Sequence, residues 1–175
     1  MPLACLRSLF SLAFVASLLI LAGAFYLEFT KGLVPCPLCQ SQRVLLVVFA
    51  GVCLAARLHA PGQPGARRYA AAALGLALGG GLLAVRQIWL QGSGVAAGEA
   101  CSMPLGALIE QGSLADVLHA MLLGSADCAS ITWSFLDLSL PEWSLLAFLL
   151  LAALALALAR LLYVQPAATG KSLKP

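Results

Sequence analysis

The chain has 175 residues, of which 62% are hydrophobic and only 10% charged, and its mean hydropathy is +0.98. A soluble domain carries roughly a quarter of its residues as charges, so an aqueous globular surface is excluded and the class is integral membrane protein. A net charge of +3 is too diffuse to suggest nucleic acid, and the lipid bilayer is the expected environment.

Four uncharged apolar runs follow in order: 8–27, 44–56, 69–85 and 143–159. A membrane span needs about 20 residues, within roughly 17–25. The second run reaches that length by extending back through the PCPLC segment, and the third by continuing past Arg86 through Ile88–Leu90. The first contains Ala22-Gly23-Ala24, a small-residue stretch like a signal-peptide cleavage site. A signal h-region covers only about 7–15 residues, so an uncleaved helix is predicted. The expected fold is an all-α bundle of four transmembrane helices at about 8–27, 38–57, 69–90 and 143–163, forming one domain over 1–165. Loops are expected at about 28–37 and 91–142, and a disordered tail at 166–175.

Positive charge marks the cytoplasmic side of a membrane protein. The run ends alternate sides. One side holds Arg7, Arg57, Arg67, Arg68, Arg160, Lys171 and Lys174 without an acid, whereas the other holds all seven acids with Lys31, Arg43 and Arg86. This predicts both termini in the cytoplasm and both loops outside.

Of the six cysteines, Cys36 and Cys39 fall in the short outer loop, and Cys101 and Cys128 in the long one. Disulfides persist in an oxidising outer compartment, so these four can form two pairs. Cys5 and Cys53 have no partner on their side and read as small apolar residues. A structural staple suits Cys101 and Cys128 but not Cys36 and Cys39, because so short a loop constrains little chain entropy. A four-cysteine zinc site favours two CxxC pairs, a spacing the second pair lacks, so no metal is expected.

The segment VPCPLCQSQR, residues 34–43, suggests electron transfer instead. Pro37 suits the first position of a helix, which places Cys39 in a first turn where the helix dipole favours a thiolate. Arg43 lies four residues on, on the same face. Arg43 and Arg86 both sit at the outer membrane level, against the positive-inside trend, and ionisable residues at that depth are functional candidates. Together they suit an apolar molecule that becomes anionic on reduction, such as a membrane quinone.

In the long loop, Gly92, Gly94 and Gly98 predict a flexible start. Ser113 and Asp116 form a capping pair. Leu114, Val117, Leu118, Met121 and Leu122 follow at helical spacing, and Gly124 stops the run, so a short amphipathic helix on the membrane surface is predicted. Trp133, Phe135, Leu136 and Trp143 read as interfacial anchors, and His119 as a residue of the polar face.

These residues carry a resemblance. Four helices, CPLCQSQR at the first outer loop, a second cysteine pair, and DCASITWSFLDLSLPEWSLL before the last helix resemble the disulfide bond formation protein B (DsbB) family of bacterial inner-membrane thiol oxidoreductases. The resemblance covers nearly the whole chain. It implies that Cys36, Cys39, Cys101 and Cys128 are catalytic. It also implies that a DsbA-like periplasmic thiol oxidase is reoxidised through Cys101 and Cys128, and that the electrons pass to ubiquinone, or to menaquinone without oxygen. Arg43, Arg86 and Gln87 are the expected quinone-binding residues. Gln87, in RQIWLQ, stands where histidine is expected in some relatives, which puts a proton-transfer role there in doubt.

Rival readings are a vitamin K epoxide reductase-like enzyme, a membrane scaffold with structural disulfides, and a relay moving electrons outward. The first normally carries its CxxC in a later helix, the second leaves Arg43 unexplained, and the third lacks a cytoplasmic cysteine pair.

Overall fold

A computed structural model describes residues 3–93, 113–129 and 133–164. Four long helices dominate: α1 (Leu3–Lys31), α2 (Pro37–His59), α3 (Gln63–Gly92) and α5 (Leu140–Val164). Between α3 and α5 lie α4 (Leu114–Leu123), a 3-10 turn (Ala126–Ala129), and a minimal hairpin of β1 (Ser134–Phe135) and β2 (Leu138–Ser139). All four long helices are apolar and long enough to cross a membrane. Their outward leucines stay bare, with Leu19 at 68% and Leu82 at 70% exposure. Such a surface is stable only against lipid.

The helices outrun the uncharged stretches because proline starts them early. Pro37 is the first residue of α2, and α3 also has proline in its opening positions. In both places the missing N–H is one the helix does not use. Helix α5 begins at Leu140, where Glu142 accepts from both the amide (2.6 Å) and the hydroxyl (2.7 Å) of Ser139.

The core follows from side-chain size. Helix α3 turns Ala70, Ala73, Ala77 and Ala84 inward, and α5 packs on it with Phe148, Leu151 and Leu158. Small residues let membrane helices approach closely. Gly80 marks the tightest point, since a Cβ there would lie 2.1 Å from Cε1 of Phe148. Cys53 is fully buried beside Phe49 in the same core, as expected for a small apolar residue.

The surface helix α4 forms at its predicted place. Ser113 Oγ accepts from the Asp116 amide (3.3 Å), and Asp116 Oδ2 accepts from the Ser113 amide (3.1 Å). Leu114, Leu118 and Leu122 are exposed. His119 is also exposed. The hairpin was not expected. Its turn residues Leu136 and Asp137 both have positive φ, at 53° and 60°, the geometry of a two-residue hairpin loop. The aromatic anchors close around it. The Trp133 and Phe135 rings stack at 6.0 Å, and Trp143 Nε1 donates to the Phe135 carbonyl at 3.0 Å.

Candidate functional site

The start of α2 creates the centre of the site. Cys36 is the N-cap, with extended backbone (φ −69°, ψ 165°), and its carbonyl accepts from the Gln40 amide at 3.0 Å. One helical turn brings Cys39 back over it. The two sulfurs are 3.2 Å apart.

Gln87 of α3 is 3% exposed and reaches across to this pair. Its Nε2 donates to Cys39 Sγ at 3.3 Å and to Cys36 Sγ at 3.5 Å. Its Oε1 accepts from Gln42 Nε2 at 3.0 Å, and Gln42 Oε1 accepts from the Ser144 hydroxyl of α5. A buried amide is costly unless its polar atoms are paired. This chain of amides therefore fixes the Gln87 side chain with its N–H groups toward sulfur. Gln42 and Ser144 were not expected in the site.

Arg43 lies one turn beyond Cys39. Its guanidinium pairs with Glu28 near the end of α1, donates to the Ala24 carbonyl at 3.1 Å, and sits 4.8 Å above the Phe25 ring. The Arg43 side chain is 14% exposed, so it is a largely desolvated cation with a fixed direction.

Cys128 completes the cluster from the 3-10 turn. It is 1% exposed and lies beside Cys36. The Cys36 thiol is pushed up, first by Cys128 beside it, then by its contact with Cys39 and by burial. Cys128 is pulled down from 9.0 to about 6, first by the Cys36 thiol and then, against burial, by the backbone amides of Ser125 and Leu38 and the Ser125 hydroxyl. The Leu38 amide, a free N–H at the start of α2, thus serves Cys128. In a variant retaining only Cys36 and Cys128, thiolate ultraviolet absorbance is expected to disappear as pH falls through about 6. Removing Cys36 as well removes the largest stabiliser of the anion and should move the midpoint up toward the usual thiol value of about 8.5.

A cavity of about 250 Å³ opens beside the pair. Leu27, Leu33, Val34, Leu46 and Trp143 form apolar walls, while Cys36, Cys39, Gln42, Arg43, Glu28 and Gln87 supply its polar end. Arg86, expected beside the pair, is not part of this cavity. Its Nε donates to the Leu123 carbonyl at the end of α4 (3.2 Å), and its guanidinium lies 4.7 Å above Trp89. Successive helical residues point about 100° apart, so the turn that buries Gln87 directs Arg86 elsewhere. Cys101 lies outside the described residues, as does its pairing with Cys128.

Four spans and a cysteine pair at the polar end of a largely apolar cavity, with Cys128 beside it, define a multi-pass membrane protein of thiol chemistry. The family model described as "Disulfide bond formation protein DsbB" matches residues 6–158, and the chain belongs to that family. It is 54% identical over 156 residues to "Disulfide bond formation protein B 2" of Pseudomonas entomophila, covering 89% of this chain and 92% of that one. It is 55% identical over 152 residues to the Pseudomonas putida protein of the same name, covering 86% and 89%. It is 45% identical over 148 residues to "Disulfide bond formation protein B 1" of Pseudomonas aeruginosa, covering 85% and 91%. No solved structure matches it significantly. The chain is accordingly an oxidoreductase of disulfide bond formation.

Proposed function

We propose that this protein reoxidises a DsbA-like periplasmic thiol oxidase by disulfide exchange and passes the two electrons to a membrane quinone. In this reading it resides in the bacterial inner membrane with both termini in the cytoplasm, as the charge asymmetry of the sequence suggests. The observation that carries the reading is the Cys36–Cys39 pair, which borders the apolar cavity on one side and touches Cys128 on the other.

The partner's thiolate attacks the Cys101–Cys128 disulfide and forms a mixed disulfide with Cys101, releasing Cys128 as a thiolate. Cys128 then attacks Cys36, so a Cys36–Cys128 bond forms, the Cys36–Cys39 bond breaks, and Cys39 leaves as a thiolate. The partner's second cysteine resolves its bond to Cys101, leaving the partner oxidised, and Cys101 resolves the Cys36–Cys128 bond. Two electrons and two protons now reside on Cys36 and Cys39.

The cavity's fit to a quinone rests on its donor set. Apolar walls suit a ring, and the Arg43 guanidinium and the Gln42 and Gln87 amides suit its oxygens. Ubiquinone, or menaquinone without oxygen, supplies an acceptor for two electrons and two protons. Arg43 places positive charge where negative charge builds up, and Gln87 Nε2 steadies the Cys39 thiolate by donation.

Anaerobic mixing of the purified protein with ubiquinone and reduced DsbA tests this. Loss of oxidised-quinone absorbance is expected, dependent on DsbA and absent in Cys36→Ser. No quinone reduction, with both disulfides intact after DsbA is added, would overturn it.

A further inference from the structure

Helix α4 ends against the bundle in an unusual way. The last carbonyls of a helix have no partner within it. Two of those in α4 are taken by side chains of other helices. The Met121 carbonyl accepts from Ser41 Oγ of α2 at 2.7 Å, and the Leu123 carbonyl accepts from Arg86 Nε of α3 at 3.2 Å. Ser41 is buried, and Arg86 is held from behind by its stacking on Trp89. Between these two bonds and the 3-10 turn lies Gly124, at φ +87°. A Cβ there would come within 2.7 Å of Leu90 Cδ1 and 2.8 Å of Leu38 Cδ1, so glycine alone lets the chain press this closely onto α2 and α3. Ser125 follows, and its carbonyl accepts the Cys128 amide at 2.9 Å. A short, tightly packed path thus runs from the two anchored carbonyls to the Cys128 sulfur.

We propose that Arg86 and Ser41 are positioning residues that latch the end of α4 to the bundle and thereby present Cys128 to Cys36. The inference rests on the relay reading for its purpose, but not for its geometry. With the latch closed, Cys128 is buried beside Cys36. With it open, α4 and the 3-10 turn separate from α2, and Cys128 leaves the pair. Arg86 acts through the peptide backbone of the loop, and its place at the outer end of α3 serves a protein segment rather than the contents of the cavity.

The test is disulfide trapping in membranes, in a chain carrying Cys39→Ser and Cys101→Ser, with copper phenanthroline as oxidant. Two thiols, Cys36 and Cys128, lose two electrons to the reagent and two protons to solvent, and a bond forms between them. The reaction needs neither DsbA nor quinone, so failure of the relay reading leaves it interpretable. Fast formation of the Cys36–Cys128 bond is expected. Arg86→Met and Ser41→Ala should each slow it, by about tenfold for the charged donor, while Arg86→Lys, which keeps a donor, should recover part of the rate. Ser41→Ala removes one oxygen and reports on the latch even if Arg86→Met does not accumulate. Trapping rates unchanged in Ser41→Ala and in whichever Arg86 variants fold would overturn the proposal. So would an Arg86→Lys rate no better than that of Arg86→Met. A raised KM for ubiquinone in Arg86→Met with unchanged trapping would return Arg86 to the cavity.

Discussion

Replacing Cys39 by serine is expected to abolish quinone reduction. The residue sits in the first turn of α2, borders the cavity, and lies 3.2 Å from Cys36 and 3.3 Å from the Gln87 amide nitrogen. A hydroxyl fits the same space, so the bundle should survive, and its helical content and thermal unfolding should be unchanged. What disappears is the second sulfur. Without it the Cys36–Cys39 disulfide, the product left when the pair gives up its two electrons, cannot form. Turnover should fall to the uncatalysed background with saturating reduced DsbA and ubiquinone. Cys36 and Cys128 remain side by side, so copper phenanthroline should still join them in the variant, the two thiols losing two electrons to the reagent and two protons to solvent. Turnover within a few-fold of the parent would sink the assignment of Cys39 as the cavity-side thiol.

The placement of this site's residues is legible in the sequence where it is encoded locally. CPLCQSQR places two cysteines and an arginine on consecutive turns of one helix, and helical geometry alone determines that they share a face. The α4 capping box and its leucine spacing were local as well. What could not be read depends on how helices rotate against one another. Arg86 and Gln87 are neighbours in sequence, and both looked suited to the same ligand. Only the packing of α3, with Ala84 and Gln87 turned inward, shows that one enters the site and the other leaves it. The Gln87–Gln42–Ser144 chain joins three helices, and no spacing in the sequence announces it. Glu28 reads as a loop charge in the sequence because the uncharged run stops before it. Helix α1 instead continues to Lys31, and the added turn carries the carboxylate to Arg43. The hairpin was hidden for another reason. Its turn uses Leu136 and Asp137 at positive φ, and a leucine carries no signal for that conformation.

The Glu28–Arg43 pair decides what the guanidinium is for. Arg43→Ala is expected to raise the KM for ubiquinone by about 10–100-fold, because a charge-assisted hydrogen bond contributes about 1.5–3 kcal/mol and each 1.4 kcal/mol is tenfold. That change alone has two explanations, since it also leaves Glu28 with no cation beside it. An unpaired carboxylate at the polar end of the cavity would itself repel an electron-rich ligand. Glu28→Gln separates the two. In the double variant Arg43→Ala/Glu28→Gln the orphan charge is gone, and the KM should stay raised if the guanidinium itself meets the ligand. A KM restored to the parental value would mean that Arg43 serves to neutralise Glu28. An unchanged KM in Arg43→Ala would leave the arginine only the structural work of tying α2 to α1 through Glu28 and the Ala24 carbonyl. The cavity's selectivity would then fall to Gln42 and Gln87, whose amides lie within its lining and do not depend on that ion pair.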